Sequence, residues 1–297
     1  MPAMLNEMPN VRDLAISPQG DEIYFTVESF DKGYSYIAFI KRKGGGDWTE
    51  PEVAPFSGNF RDMEPAFSPD GFRLFFASNR PLPGGTEGKD DFDIWFVERK
   101  QLENSRWDRP ESFAAVNTGA NEFYPSMAFS GNLYFTSDRE EATGKEDIFI
   151  SEKAEGEYKR PVRLGDNINS ENYEFNAFID PEESFIVFSS YGRENGLGGG
   201  DLYFSVKDDL HQWQPAVRLG EGINSSSLDF SPFIDLKNRV LYFTSNRSKV
   251  KQSYPERMAF KDYQKDMKQF SNGLGRIYRA PLESLDYEQL AKDQGVD

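Results

Sequence analysis

The chain has 297 residues, with 34 Lys and Arg against 50 Asp and Glu, so its formal charge is −16. That balance argues against a nucleic-acid or anionic-membrane partner and leaves a cationic protein, a neutral glycan or a cation open. With no cysteine and a single histidine, His211, disulfides, thiolate metal sites and histidine-rich metal centres are excluded.

The opening segment Met1–Asn6 does not read as a signal peptide. No apolar run reaches the roughly 20 residues that span a bilayer, so membrane insertion is not expected. Beyond it the chain repeats itself. The pair Tyr24-Phe25 recurs as Phe75-Phe76, Tyr134-Phe135, Val187-Phe188 and Tyr242-Phe243, at steps of 51, 59, 53 and 55 residues. A turn segment precedes each pair: Ser17-Pro18-Gln19-Gly20, Ser68-Pro69-Asp70-Gly71, Ala128–Gly131, Asp180–Glu183 and Asp235–Asn238. Proline presets the turn, and apolar runs on both sides make it a hairpin. Third strands are expected at Tyr36–Ile40, Asp93–Val97, Asp147–Ile150, Asp201–Ser205 and Arg276–Ala280. A short fourth strand follows the markers Trp48…Pro51, Trp107…Pro110, Tyr158…Pro161 and Trp213…Pro215. A four-stranded antiparallel sheet cannot bury both faces alone, so the copies stack radially. Aromatics at 15% of the chain suit such face-to-face packing.

The expected fold is therefore all-β: one β-propeller domain over residues 1–297 with five four-stranded blades, six being the alternative. The blades fall at about 10–58, 59–119, 120–169, 170–224 and 225–284. No Trp-Pro segment follows Arg276–Ala280. Aligning copies one and two puts Pro2–Leu5 opposite Val53–Phe56, so the N-terminus is expected to supply the outer strand of blade five and close the ring. The loop 248–275 is an insertion in the last blade. Within it Pro255–Phe270 reads as a helix whose stripe, Phe260, Tyr263, Met267 and Phe270, is expected to dock as a lid over or beside the channel.

Blade two carries Glu64-Pro65-Ala66-Phe67-Ser68-Pro69-Asp70-Gly71, then Ser78-Asn79-Arg80, then Asp93-Ile94-Trp95. This pattern resembles the repeat of TolB-like, WD-repeat-like propellers over about residues 10 to 283. Blade four, with Asn167-Ile168-Asn169, Glu174-Phe175-Asn176 and Gly199-Gly200-Asp201-Leu202-Tyr203, is similar to versions found beside peptidoglycan-binding outer-membrane domains. The resemblance implies a monomeric, non-catalytic binding or scaffolding module in the periplasm or secreted, a cytoplasmic location being the alternative. Blade one departs from the pattern in lacking the arginine and the Asp-Ile pair. Blade five has Arg276 in place of the aspartate.

The innermost strands open on Val11, Asp62, Glu122, Glu174 and Asp229. Two residues on, and so on the same face, stand Asp13, Glu64, Tyr124, Asn176 and Ser231. Up to six carboxylates are thus expected around one channel mouth. They suit a protein or glycan ligand, or Ca²⁺ at Asp62, Glu122, Glu174 and Asp229 as the one cofactor the pattern suggests. Paired carboxylates also serve glycoside hydrolysis, which makes a carbohydrate-active enzyme the alternative function. The bland reading is that these acids cap neighbouring blades. Arg80, Arg139 and Arg193 are expected to bridge to Asp93, Asp147 and Asp201. Gly196–Gly200 lacks the features of a phosphate loop, no Gly-x-Ser-x-Gly accompanies His211, and the sialidase pattern Asp-x-Gly-x-Thr-Trp is absent. Binding is therefore favoured over catalysis.

Overall fold

The structure, a computed structural model, describes residues 3–292 except 9, 83, 103–105, 252, 287, 288 and 291. Five antiparallel sheets stand around a central axis. Blade one holds Val11–Ile16, Glu22–Glu28, Ser35–Lys41 and Glu52–Val53. Blade two holds Asp62–Phe67, Arg73–Ser78, Asp93–Glu98 and Glu111–Ser112. Blade three holds Glu122–Met127, Leu133–Ser137, Asp147–Ser151 and Val162–Arg163. Blade four holds Tyr173–Ile179, Phe185–Tyr191, Asp201–Val206 and Val217–Arg218. Blade five is built on Asp229–Asp235, Val240–Ser245 and Arg276–Pro281. Each first strand touches the first strands of both neighbours, and that of blade one touches that of blade five, so the ring closes at five.

The aromatic pairs do what their spacing predicts. Tyr24 and Ile37 of blade one pack on Leu74, Phe76, Trp95 and Val97 of blade two in one buried layer. Trp107 joins that layer and donates its indole N–H to the Tyr24 hydroxyl at 2.8 Å. Each such buried ring is worth ~1.5–3 kcal/mol, so the interfaces between blades are the core.

Ring closure differs from expectation in one element. Ala3–Asn6 form a 3-10 turn rather than an outer strand, and Pro2 lies outside the described residues. Leu5 is driven inward between blades one and five, against Val11, Tyr242 and Ile277. A turn lets that one apolar side chain reach the core, which a ladder on the outer edge would not. Arg276 secures the segment by donating to the Met8 carbonyl at 2.6 Å.

The five inner strands share a second feature with no visible mark in the sequence. Each carries a β-bulge two or three residues after its start. The bulged residues Asp13, Glu64, Tyr124, Asn176 and Ser231 all have left-handed backbones, with φ of 57°, 59°, 44°, 51° and 50°. A bulge re-aims its side chain, at a cost of about 1–2 kcal/mol for a non-glycine residue. The freed N–H groups of Asp13, Glu64, Tyr124 and Asn176 are met across the blade interface. Glu64 donates to Thr26 Oγ1 at 2.9 Å, Asn176 to Thr136 Oγ1 at 3.1 Å and Asp13 to Thr244 Oγ1 at 3.2 Å. Blade two has Ala77 at that place, and there the Tyr124 N–H goes to Glu64 Oε2 instead, at 2.8 Å. Thr136→Val keeps the shape but strands a buried N–H. It is expected to cost about 1–3 kcal/mol in urea unfolding, and an unchanged midpoint would refute the coupling.

Candidate functional site

The acids at the strand starts do not form an open ring. Asp62, Glu122, Glu174 and Asp229 are each 0% exposed. Each pairs with the arginine that ends the second strand of its own blade: Arg80 on Asp62 at 2.5 Å, Arg139 on Glu122 at 2.9 Å, Arg193 on Glu174 at 3.0 Å and Arg247 on Asp229 at 2.6 Å. The same arginines reach back to the carbonyls of Phe56, Val116, Ile168 and Ile223, in the segments that lead into the inner strands. Ser57, Thr118, Ser170 and Ser225 donate to the carboxylates from those segments. The unit ties each inner strand to the chain entering it. Burial pushes Glu122 above the usual carboxylate range, against the opposing pull of Thr118 and Arg139.

This corrects the expected Arg–Asp bridges. Asp93 pairs with Lys89 and Asp147 with Arg163, while Asp201 accepts the Leu197 N–H at 2.6 Å. The third-strand aspartates shape the loops before them and leave the arginines to the inner strand. Blade one could have revealed the true pairing, because it lacks both partners: Val11 replaces the acid, and no arginine ends its second strand. The four carboxylates are spread one per blade on separate cations. Among the described residues no three Asp, Glu or His side chains come together to hold a metal.

The bulged residues do converge. Arg12 lies between Asp13, at 2.7 Å, and Glu64, at 2.9 Å, and packs 5.1 Å from the Phe230 ring. Asn176 donates to Glu64 at 3.0 Å, Ser231 donates to Asp13 at 2.6 Å, and the Tyr124 hydroxyl donates to the Pro232 carbonyl at 2.7 Å. All five blades thus meet in one buried polar knot on the axis. Burial raises Glu64 above the ordinary range; Arg12 opposes the rise and Asp13 adds to it.

The mouth on the hairpin side holds the cavity that the sequence did not announce. It measures about 410 Å³, and Tyr124 belongs to both its lining and the knot. Its walls come from the ends of the first strands and from the Ser-Pro turns: Leu14, Ile16, Pro65, Phe67, Met127, Phe178 and Phe233. Phe129 and Leu236 stand at its rim, 64% and 41% exposed. The acids had pointed to the opposite mouth. The signal for this one was the apolar content of the turns, above all Phe129 and Leu236 at positions where a turn is ordinarily polar.

The insertion lies on the acid side. Its helix is shorter than expected, Phe260–Met267, and none of its residues is buried; Phe260 is 74% exposed. Its hydrogen bonds and ring contacts stay within the segment, as in Tyr254 donating to Asp266 at 2.6 Å. Of the stripe, Phe270, beyond the helix, packs on the blade, 5.1 Å from Tyr278. Phe260, Tyr263 and Met267 therefore stay exposed and do not dock. Replacing 255–268 by a short Gly-Ser turn is expected to change stability by less than about 1 kcal/mol. A larger loss in thermal unfolding would show that the helix is held by the blades. The glycine run does have a structural task. A Cβ on Gly199 would come within 2.9 Å of the Leu228 nitrogen, so blade four's loop packs on blade five only without side chains. His211 sits in an exposed turn on the hairpin side.

No protein-family model matches the sequence, and no curated protein matches it. Among solved structures the chain is similar to the endo-arabinase of Bacteroides thetaiotaomicron, at 14% identity and a TM-score of 0.53 over 93% of this chain and 95% of that one. It is similar to the alpha-L-arabinofuranosidase of Lactobacillus brevis, at 13% and 0.50 over 91% and 90%. It is also similar to TolB of Acinetobacter baumannii, at 16% and 0.48 over 82% of this chain, and spans 50% of that structure. At such identities the likeness shows the fold alone. The class is an all-β, five-bladed β-propeller.

Proposed function

We propose that this propeller is a non-catalytic binding module whose ligand enters the hairpin-side funnel. The observation that carries the reading is the opposition of the two mouths. On one, the candidate carboxylates are buried and spent on arginines; on the other, an apolar cavity of about 410 Å³ opens between exposed apolar rims. Ligand sites are commonly concave and mostly apolar, with a few polar groups, and this cavity falls in their size range. The TolB-like reading is supported by Ser68-Pro69-Asp70-Gly71, Ser78-Asn79-Arg80 and Asp93-Ile94-Trp95, and with it come a protein or glycan partner and a periplasmic or secreted location.

The alternative, a glycoside hydrolase, is favoured by one observation: Asp13 and Glu64 lie together on the axis, and Glu64 is held toward its neutral form. Hydrolysis needs two carboxyl groups on either side of a sugar. Here both bind the same Arg12 and are 1% and 3% exposed, which leaves a sugar no place between them.

A thermal-shift screen of peptides and oligosaccharides, run on the wild type and on Ala66→Trp, tests the reading. Ala66 lines the funnel, so the indole fills it. Ligands that raise the melting temperature of the wild type are expected to leave the variant unmoved, and neither protein is expected to cleave arabinan. Cleavage that Glu64→Gln abolishes would establish the enzyme instead.

A further inference from the structure

We propose that the funnel binds an apolar chain that ends in a carboxylate, with the head on Arg42 and Lys237 and the tail on the floor. The inference rests on the reading of the funnel as the ligand site and names the chemistry of its ligand.

The funnel is not evenly apolar. Its charged lining residues are Arg42, Asp235 and Lys237. Asp235 is occupied: one oxygen accepts the Asn238 backbone N–H at 2.9 Å and the other its side-chain amide at 2.7 Å. Arg42 stacks on Trp48 at 5.4 Å, and among the described residues neither it nor Lys237 forms an ion pair. Two cations and one carboxylate thus line the cavity, and its charge is net positive in a chain of net charge −16.

Their placement gives the funnel a direction. Arg42 belongs to blade one and Lys237 to blade five, which are neighbours in the ring. Blade three, across the cavity, contributes Met127 and Phe129. The floor presents the Tyr124 ring, whose hydroxyl proton is already given to the Pro232 carbonyl. A hydroxyl set against the apolar walls would go without a partner, at a cost of about 1–3 kcal/mol for each such group. An alkyl chain costs nothing there, and its anionic head meets a planar guanidinium and an ammonium at the rim.

The test is calorimetric titration with laurate below its micelle concentration and with dodecanol below its solubility limit. Laurate is expected to bind the wild type at least about tenfold more tightly than dodecanol. The double variant Arg42→Glu/Lys237→Glu, which changes two exposed side chains, is expected to remove that preference while dodecanol binding stays. Ala66→Trp is expected to abolish both. Equal binding of the two ligands, or no binding, overturns the carboxylate assignment and leaves the funnel reading to stand on the ligand screen. Selective laurate binding that survives in a folded Ala66→Trp overturns the funnel itself as the site.

Discussion

Arg139→Ala is expected to destabilise the protein by about 3–5 kcal/mol, the range for removing one partner of a buried ion pair. The side chains of Arg139 and Glu122 are 6% and 0% exposed, so deletion leaves a carboxylate in the interior without its cation. The Val116 carbonyl loses its donor at the same time, and the rings of Phe135 and Phe149 lose the guanidinium that packs at 4.9 and 5.0 Å. Arg139→Lys keeps the charge but cannot serve Glu122, Val116 and Ser137 together, because that takes a planar fork. It is expected to recover only part of the loss. Guanidinium unfolding of the three proteins checks the order wild type, Lys, Ala. A loss under about 1 kcal/mol for Ala would mean that the unit is not structural.

Arg12→Met is expected to weaken the protein by a similar amount, about 3–5 kcal/mol near neutral pH, and by much less near pH 5. The sign follows from Glu64. Its carboxyl is already raised in the folded protein by burial, and Arg12 is the group that opposes the rise. Without Arg12 the folded protein holds that proton still more firmly, while the unfolded chain releases it at the ordinary value. A group whose folded pKa lies above its unfolded one costs stability as pH climbs between the two. The variant should therefore lose stability from about pH 5 upward, and more steeply than the wild type. Unfolding free energies measured across that range give the slope directly. A parallel pair of curves would show that Arg12 does not face Glu64.

These two arginines mark where the sequence was readable. The repeat period, the hairpins and the third strands could be read from Tyr24-Phe25 and its copies, because radial stacking demands the same apolar residues at the same places. The acids of the inner strands were visible as well, but their partners were misassigned, since the nearest aspartate along the chain is not the nearest in space. The joint absence of acid and arginine in blade one was the internal clue. The bulges were not legible. Left-handed backbone is usually announced by glycine, and here Asp13, Glu64, Tyr124, Asn176 and Ser231 adopt it under tertiary constraint. The funnel was hidden because its walls come from five separate turns. The helix misled in the opposite way: its 3-4-3 apolar spacing predicts docking, but spacing alone does not supply a surface to dock on.

The central claim is that the carboxylates marked by the repeat hold the propeller together and do not meet a ligand. Carbodiimide labelling of the native protein, read residue by residue by mass spectrometry, tests it most directly. Asp62, Glu122, Glu174 and Asp229, with Asp13 and Glu64 on the axis, are expected to stay unmodified in the folded state while exposed acids such as Asp166 react, and to become reactive only on unfolding. Labelling of Asp62, Glu122, Glu174 or Asp229 in the folded protein would contradict the account and return the acid-side mouth to candidacy as the functional site.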